Sequence, residues 1–345
     1  MKALNSRRWI ITVAVMAIAL AVLMFFAQFV GAKYVSPANF FRGMTHAETV
    51  VLVQYHLPRV LVAALVGAAL AVCGAVFQGI LRNPLADPFI LGISGGGTVG
   101  AVFAVAAGAE VVVFGFSTVT VFAFIGSLGA LALVVAFSKI RGTVATHNLI
   151  LAGVVLNAIF SAAILFMMSI MPFVEMRSIY QWLMGSLYNA IALEPPQIGV
   201  AAVIVFVGAL LLLAMAKSMN LFALGEETAR QMGVRAERTR LACLILTAIL
   251  TGVAVSITGP IGFVGLIVPH IMRLLVGPDH RILLPASFFG GAIFLLVADS
   301  VARSVLPLTG LSLSELPVGV ATALCGGPFF LWLLRARSRR AIFGK

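Results

Sequence analysis

Charge is scarce in this sequence. Of its 345 residues only 10% are Asp, Glu, Lys or Arg, while 62% are hydrophobic. A soluble globular domain is about half apolar and about a quarter charged. With a mean hydropathy of +1.14, the chain cannot hide its apolar side chains in a water-soluble core, so the solvent it requires is a bilayer. Cysteine is also scarce. Cys73, Cys243 and Cys325 each lie inside an apolar run with no CxxC or Cys/His spacing. All three read as small buried hydrophobes. The five histidines (46, 56, 147, 270 and 280) have no metal-ligand spacing. No G-x-x-x-x-G-K-[ST] string occurs, so the chain has no phosphate cradle of that kind. Gly95 to Gly100 formally contains G-x-G-x-x-G, but within an apolar span and without the strand that a dinucleotide site requires. No cofactor is expected.

Long apolar runs are plentiful. About 20 such residues cross a bilayer as a helix, and the sequence predicts an all-α polytopic membrane protein with ten spans: 9–31, 56–80, 89–108, 112–137, 148–171, 195–216, 240–257, 259–276, 282–305 and 315–334. The first run is longer than the apolar core of a signal peptide, about 7–15 residues, and Val30-Gly31-Ala32 is a weak cleavage site, so it reads as a retained helix. The eighth span is interrupted by Gly and Pro. It reads as half buried or as a full crossing. A single transmembrane domain over 1–345 is expected, with one conspicuous inner segment at about 217–239.

The basic residues set the orientation. With the N-terminus inside, the inner segments hold eighteen of the 23 Lys and Arg residues. The outer ones hold Lys33, Arg42, Arg59, Arg177 and Arg303. Cytoplasmic loops carry the excess, so both termini are expected in the cytoplasm. The net charge of +12 is then a topology signal rather than a nucleic-acid footprint. Small residues recur every fourth position at Gly67, Ala71, Ala75 and Gly79, and again at Gly319, Ala323 and Gly327, which predicts close helix packing on both faces. No acidic residue falls at mid-depth. Asp299 comes nearest, four residues before Arg303, and a local ion pair is expected. A proton-coupled carrier, a solute channel and a membrane enzyme are the competing classes. The chain offers no paired intramembrane carboxylates for the first and no cluster of nucleophile, base or metal ligands for the third; a solute channel stays open as an alternative.

Four long stretches carry a family resemblance: HLPRVLVAALVGAALA from His56, GAVFQGILRNPLADPFILGIS from Gly74, GPIGFVGLIVPHIMRLLVGPDHR from Gly259 and ELPVGVATALCGGPFFL from Glu315. Their order resembles, from about residue 50 to 335, the permease subunits of ABC importers for vitamin B12, ferric siderophores and haem. The resemblance implies ten helices per subunit and a path along the axis shared by two permease subunits, in a homodimer or a paired heterodimer. It further implies two cytoplasmic ATPase subunits, an extracytoplasmic binding protein that delivers the chelate, and a bacterial or archaeal plasma membrane.

It also marks residues. Glu227-Thr228-Ala229 followed by Gly233 resembles the E-A-A-x-x-x-G signature of importer permeases, with Thr in the middle place. Glu226 and Glu227 suit the first turn of a short helix, Arg230 a later turn and Gly233 its stop. The segment with Leu224, Gly225, Glu226, Glu227, Ala229, Arg230 and Gly233 is expected to couple to the ATPase, the alternative being a solvated loop. Arg59 and Arg303, with His56 where relatives often carry another Arg, are expected to dock the binding protein. The alternative is that they snorkel at span ends. Gly153, Asn157 and Ser161 share one face of the fifth span, toward a cavity or a partner helix, with the cavity favoured. Thr146 and His147 would stand at a cytoplasmic gate, and Trp182 on a short outer helix beside the path.

Overall fold

The computed structural model describes residues 6–31, 35–108, 111–113, 115–140, 143–309 and 315–342. Lys2, Lys33, Arg141 and Lys345, counted in the topology above, lie outside them, as do the side chains of Arg337, Arg339 and Arg340.

Among the described residues fifteen α-helices follow one another: α1 (Ser6–Ala27), α2 (Pro37–Arg42), α3 (His46–Val50), α4 (Leu57–Ile80), α5 (Ile93–Ala106), α6 (Thr118–Ser138), α7 (Thr146–Ser169), α8 (Phe173–Leu183), α9 (Pro195–Ala214), α10 (Ala216–Leu224), α11 (Glu226–Gln231), α12 (Ala236–Thr258), α13 (Val264–Val276), α14 (His280–Thr309) and α15 (Val318–Ile342). Local chemistry sets several starts. Thr45 and Glu48 close a reciprocal capping box on α3, Ser117 accepts the Thr120 amide at the head of α6, and proline opens α9.

Among the described residues, seven helices are long and apolar enough to cross a membrane: Arg7–Ala27, His46–Ile80, Thr118–Ser138, Thr146–Ser169, Pro195–Ala214, Ala236–Thr258 and His280–Pro307. Three shorter apolar helices, Ile93–Ala106, Val264–Val276 and Val318–Leu331, account for the remaining expected spans. Boundaries differ where polarity or backbone intervenes. The fourth run does not begin as a helix. Val112–Val113 and Phe116–Ser117 pair as a two-residue hairpin first. The eighth is a half-helix, because Gly259 to Phe263 form a turn and α13 starts only at Val264. The second is lengthened, since α3 runs through a π-turn at Val51–His56 into α4.

The core is built around α4, which is buried along nearly its whole length. Its small-residue stripe does what the spacing implied. On that stripe a Cβ on Gly67 would strike the Gly291 carbonyl of α14; outside it, one on Gly74 would strike the Gly265 backbone of α13. Both partners are glycines, so backbone meets backbone, which is how helices gain dispersion contact where lipid supplies no hydrophobic drive. The second stripe is only half used within the chain. Gly319 abuts the Met184 carbonyl, whereas Ala323 is exposed and Gly327 faces open space. Cys325 is exposed as well, contrary to the buried expectation. Cys73 and Cys243 are buried as expected. Hydropathy gives a residue's depth but not its face, so it does not show which side of α15 finds a neighbour.

Candidate functional site

Three places bring together the residues singled out above. The first is the inner segment. α10 and α11 meet at Gly225, whose φ of 130° only glycine adopts freely. α11 ends at Gly233, φ 84°. Its amide donates to the Arg230 carbonyl at 2.9 Å and that of Val234 to the Ala229 carbonyl at 3.0 Å. These are the two bonds of a Schellman stop, the role expected of Gly233. Ala229 is fully buried beneath the helix, while Leu224 and Met232 are about three-fifths exposed and Glu227 is exposed beside them. Two large apolar side chains thus flank a free carboxylate on a short projection.

The base of this projection is fixed. Glu226 bonds Arg230 at 2.8 Å and also pairs with Arg240 of α12. Arg240 is buried, lies over the Phe222 ring and donates to the Val144 carbonyl at 2.5 Å. Burial works against the Glu226 carboxylate, but the hydrogen bond and charge of Arg240, then Arg230, outweigh it and hold its pKa below the ordinary glutamate value. Glu237 accepts the Val144 amide at 3.0 Å. The strand Thr143–Val144 leads directly into α7, so half-buried Thr146 and exposed His147 stand within one turn of the anchor. Sequence spacing predicted the projection. It gave no sign of Arg240 or Glu237, which reach across 96 and 93 positions.

The second place is an ionic cluster where the start of α4 and the later part of α14 meet Glu315, just before α15. Arg59 donates through Nε and Nη2 to Asp299, at 2.8–3.1 Å, and through Nη1 to Glu315. Arg303 approaches Asp299 at 3.2 Å and donates to the Ala27 carbonyl at 2.8 Å. His56 meets the Gln28 carbonyl at 2.5 Å through Nδ1. The expected Asp299–Arg303 pair is present, but Asp299 is shared with a second arginine on another helix. Arg59 is 4% exposed, Arg303 1% and His56 8%. None of the three stands out on a rim or snorkels. Desolvating an ion costs several kcal/mol unless it is paired, and within this chain the partners are its own carboxylates.

The third place is the fifth span and its surroundings. Asn157 of α7 donates to the Phe89 carbonyl at 2.8 Å, and a Cβ on Gly153 would strike the Ile90 carbonyl. Both serve the α4–α5 connection, whose carbonyls have left helical pairing. Ser161 lies apart from them on the exposed face of α7, among Leu151, Val154, Val155, Ile159 and Leu165. Within a single chain the face is therefore split between a packed connection and an open side. Trp182 of α8 lines a cavity of about 1020 Å³ with Gln181, Tyr188, Asn189, Arg59 and Glu315. The end of α8 is clamped. Ser186 donates to the Thr258 carbonyl at 2.8 Å, and Gly319 to that of Gly185 at 3.0 Å. Gly185 has a φ of 69°, and a Cβ there would strike the Pro260 carbonyl.

Comparison with known proteins places this architecture. The chain is 43% identical over 309 residues to a cobalamin import system permease protein of Halobacterium salinarum, covering 90% of this chain and 79% of that one. It is 42% identical over 289 residues to a hemin transport system permease protein of Yersinia pestis, covering 83% of each. Its structure resembles that of a metal-chelate type ABC transporter in an inward-facing conformation, with a TM-score of 0.79, 32% identity, and coverage of 95% of this chain and 99% of the other. A model of the FecCD transport family matches residues 19–336. With that match over most of its length, the chain belongs to the FecCD transport family.

Proposed function

We propose that this chain is the permease subunit of an ABC importer for a metal chelate, a ferric siderophore, cobalamin or haem, and that a separate ATPase powers it. In this reading residues 1–345 form one transmembrane permease domain in the plasma membrane, with both termini in the cytoplasm. The chain pairs with a second permease subunit around a shared path. Two ATPase subunits dock from inside, and an extracytoplasmic binding protein delivers cargo from outside. The names of the relatives support the cargo class, and the segregation of basic residues supports the orientation.

One observation carries the proposal furthest: the α11 projection, with exposed Leu224, Glu227 and Met232 above an anchored Glu226–Arg240 base. Leu224, Gly225, Glu226, Glu227, Ala229, Arg230 and Gly233 form a rigid plug for a cleft on the ATPase. Movement of the plug reaches Thr146 and His147 through Arg240 and Val144. On the open face of α7, Ser161 lies toward the second subunit and the path, while Gly153 and Asn157 hold the helix in place and Trp182 closes its outer side. At the outer end His56, Arg59 and Arg303 are the docking positions. A carboxylate of the binding protein reaches Arg59 by displacing Glu315.

The test is reconstitution in proteoliposomes with the cognate ATPase, offered cyanocobalamin, haemin or a ferric siderophore. Glu227→Arg with Gly233→Pro should abolish both co-purification of the ATPase and ATP-driven uptake. Intact assembly and uptake in that variant, or uptake by the purified chain alone, would overturn the proposal.

A further inference from the structure

Three helices, α1, α10 and α4, converge on the turn that joins α13 to α14. From α1, Arg8 donates to the Val276 carbonyl at 3.4 Å and the Trp9 indole to the Arg281 carbonyl at 2.9 Å. From α10, Asn220 engages both residues at the turn. Its Nδ2 donates to Asp279 Oδ1 at 2.7 Å, and its Oδ1 accepts the His280 amide at 2.9 Å and lies 2.8 Å from His280 Nδ1. From α4, Gly79 makes room for the ring, since a Cβ there would sit 2.5 Å from Nε2. Asp279 in turn clasps Arg281 through both carboxylate oxygens at 2.6–3.1 Å.

The orientation of the Asn220 amide follows from its partners. Reversed, its oxygen would face a carboxylate and its NH2 a backbone N–H, two repulsive contacts. Nδ1 of His280 is therefore the protonated nitrogen of the ring. His280 is only 4% exposed, so α10 cannot leave without stranding a buried amide and a buried ring nitrogen. Moving α10 and the start of α14 together conserves the three Asn220 contacts. From His280 the helix rises about 30 Å, at 1.5 Å per residue, to Asp299 and Arg303 in the outer cluster. Midway it is held against α4 at the Gly67–Gly291 contact.

We propose that Asn220 is a positioning residue that ties the inner segment to α14, which then carries ATP-driven movement as a rod to the outer mouth. The inference rests on the reading of that segment as the ATPase dock. ATP binding shifts α10, Asn220 draws the Asp279–His280 turn with it, and α14 moves the Asp299–Arg303 end against Arg59 and Glu315.

The experiment uses the complete complex in nanodiscs, with Cys325→Ala as background and a nitroxide at Val305→Cys, which is 40% exposed near the outer end of α14. The distance between the labels of the two permease copies is read with and without ATP and vanadate. The parent should show an ATP-dependent shift. Asn220→Asp sets two carboxylates against each other and should lose more than half of that shift. Asp279→Asn keeps an acceptor for Asn220 and should retain it. The double variant N220D/D279N rebuilds the bond with its donor on the other side and should regain it. If Asn220→Asp alone fails to assemble, recovery of assembly in the double variant reads the same bond. A parent label that stays still, an Asn220→Asp complex that moves like the parent, or a double variant as impaired as the single would overturn the inference. Retention of the ATPase by the Glu227→Arg, Gly233→Pro variant would instead remove the docking reading, and the inference with it. The two failures are distinct because the Asn220 series is read in assembled complexes.

Discussion

Arg59 and Asp299 stand 240 positions apart, yet the guanidinium of one clasps the carboxylate of the other through three donor–acceptor contacts of 2.8–3.1 Å. The bond joins the start of α4 to the later part of α14, the helix crossed at the Gly67–Gly291 contact. Asp299 also faces Arg303, so a single carboxylate serves two buried cations.

Replacing Asp299 by Ala should therefore be costly. Removing one partner of a buried ionic group typically costs about 3–5 kcal/mol, because the opposite charge stays desolvated. The expected result is a clear drop in melting temperature of the detergent-solubilised protein. Arg59→Met, Arg303→Leu and Asp299→Leu combined should recover most of it. If Asp299→Ala melts with the parent, the cluster does not hold the outer ends together.

Gly67→Ala should destabilise by about 1–3 kcal/mol, the usual cost of overpacking a filled interior, because its new methyl meets the Gly291 carbonyl rather than a yielding side chain. Gly129→Ala in α6 is the matched control. A Cβ there meets nothing within 4 Å, and the helix gains from losing a glycine. Thermal unfolding of the two variants should separate in opposite directions. Equal melting temperatures would contradict the backbone contact.

Asp279 supplies the pH prediction. Its hydrogen bonds from Arg281, against some burial, and then from Asn220 hold its carboxyl at about 2, well below the ordinary aspartate value. A carboxyl with a depressed folded value stabilises fully above its unfolded pKa and ceases to do so as pH falls through the folded one. The melting-temperature difference between the parent and Asp279→Ala should stay level from pH 8 to pH 5. It should shrink only below about pH 4, toward about pH 2. A difference that already changes between pH 8 and 6 would mean that another group governs the turn.

Much of this architecture was legible in the chain. Apolar runs located the ten hydrophobic helices, four-residue spacing pointed to the close helix contact at Gly67, and Glu227 to Gly233 outlined a short helix with its stop. These signals are local, with periods of a few residues. What escaped notice is long-range or facial. No pattern links Arg59 to Asp299 or Arg240 to Val144, since the positions meet only after α4, α12 and α14 have packed. The exposure of Cys325 and the split roles of Asn157 and Ser161 depend on which neighbour a helix face finds. The hairpin at Val112–Ser117 is as apolar as the helix it precedes, so hydropathy does not distinguish them. Asn220, a polar residue in an unremarkable stretch of α10, gained meaning only from the turn it meets.

The outer cluster brings together two guanidinium groups and two carboxylates, those of Arg59, Arg303, Asp299 and Glu315. Its fixed charges cancel, although the protein as a whole carries +12. Buried pairs of this kind are screened little by salt, so the clasp between α4 and α14 should persist at ionic strengths that dissolve surface ion pairs.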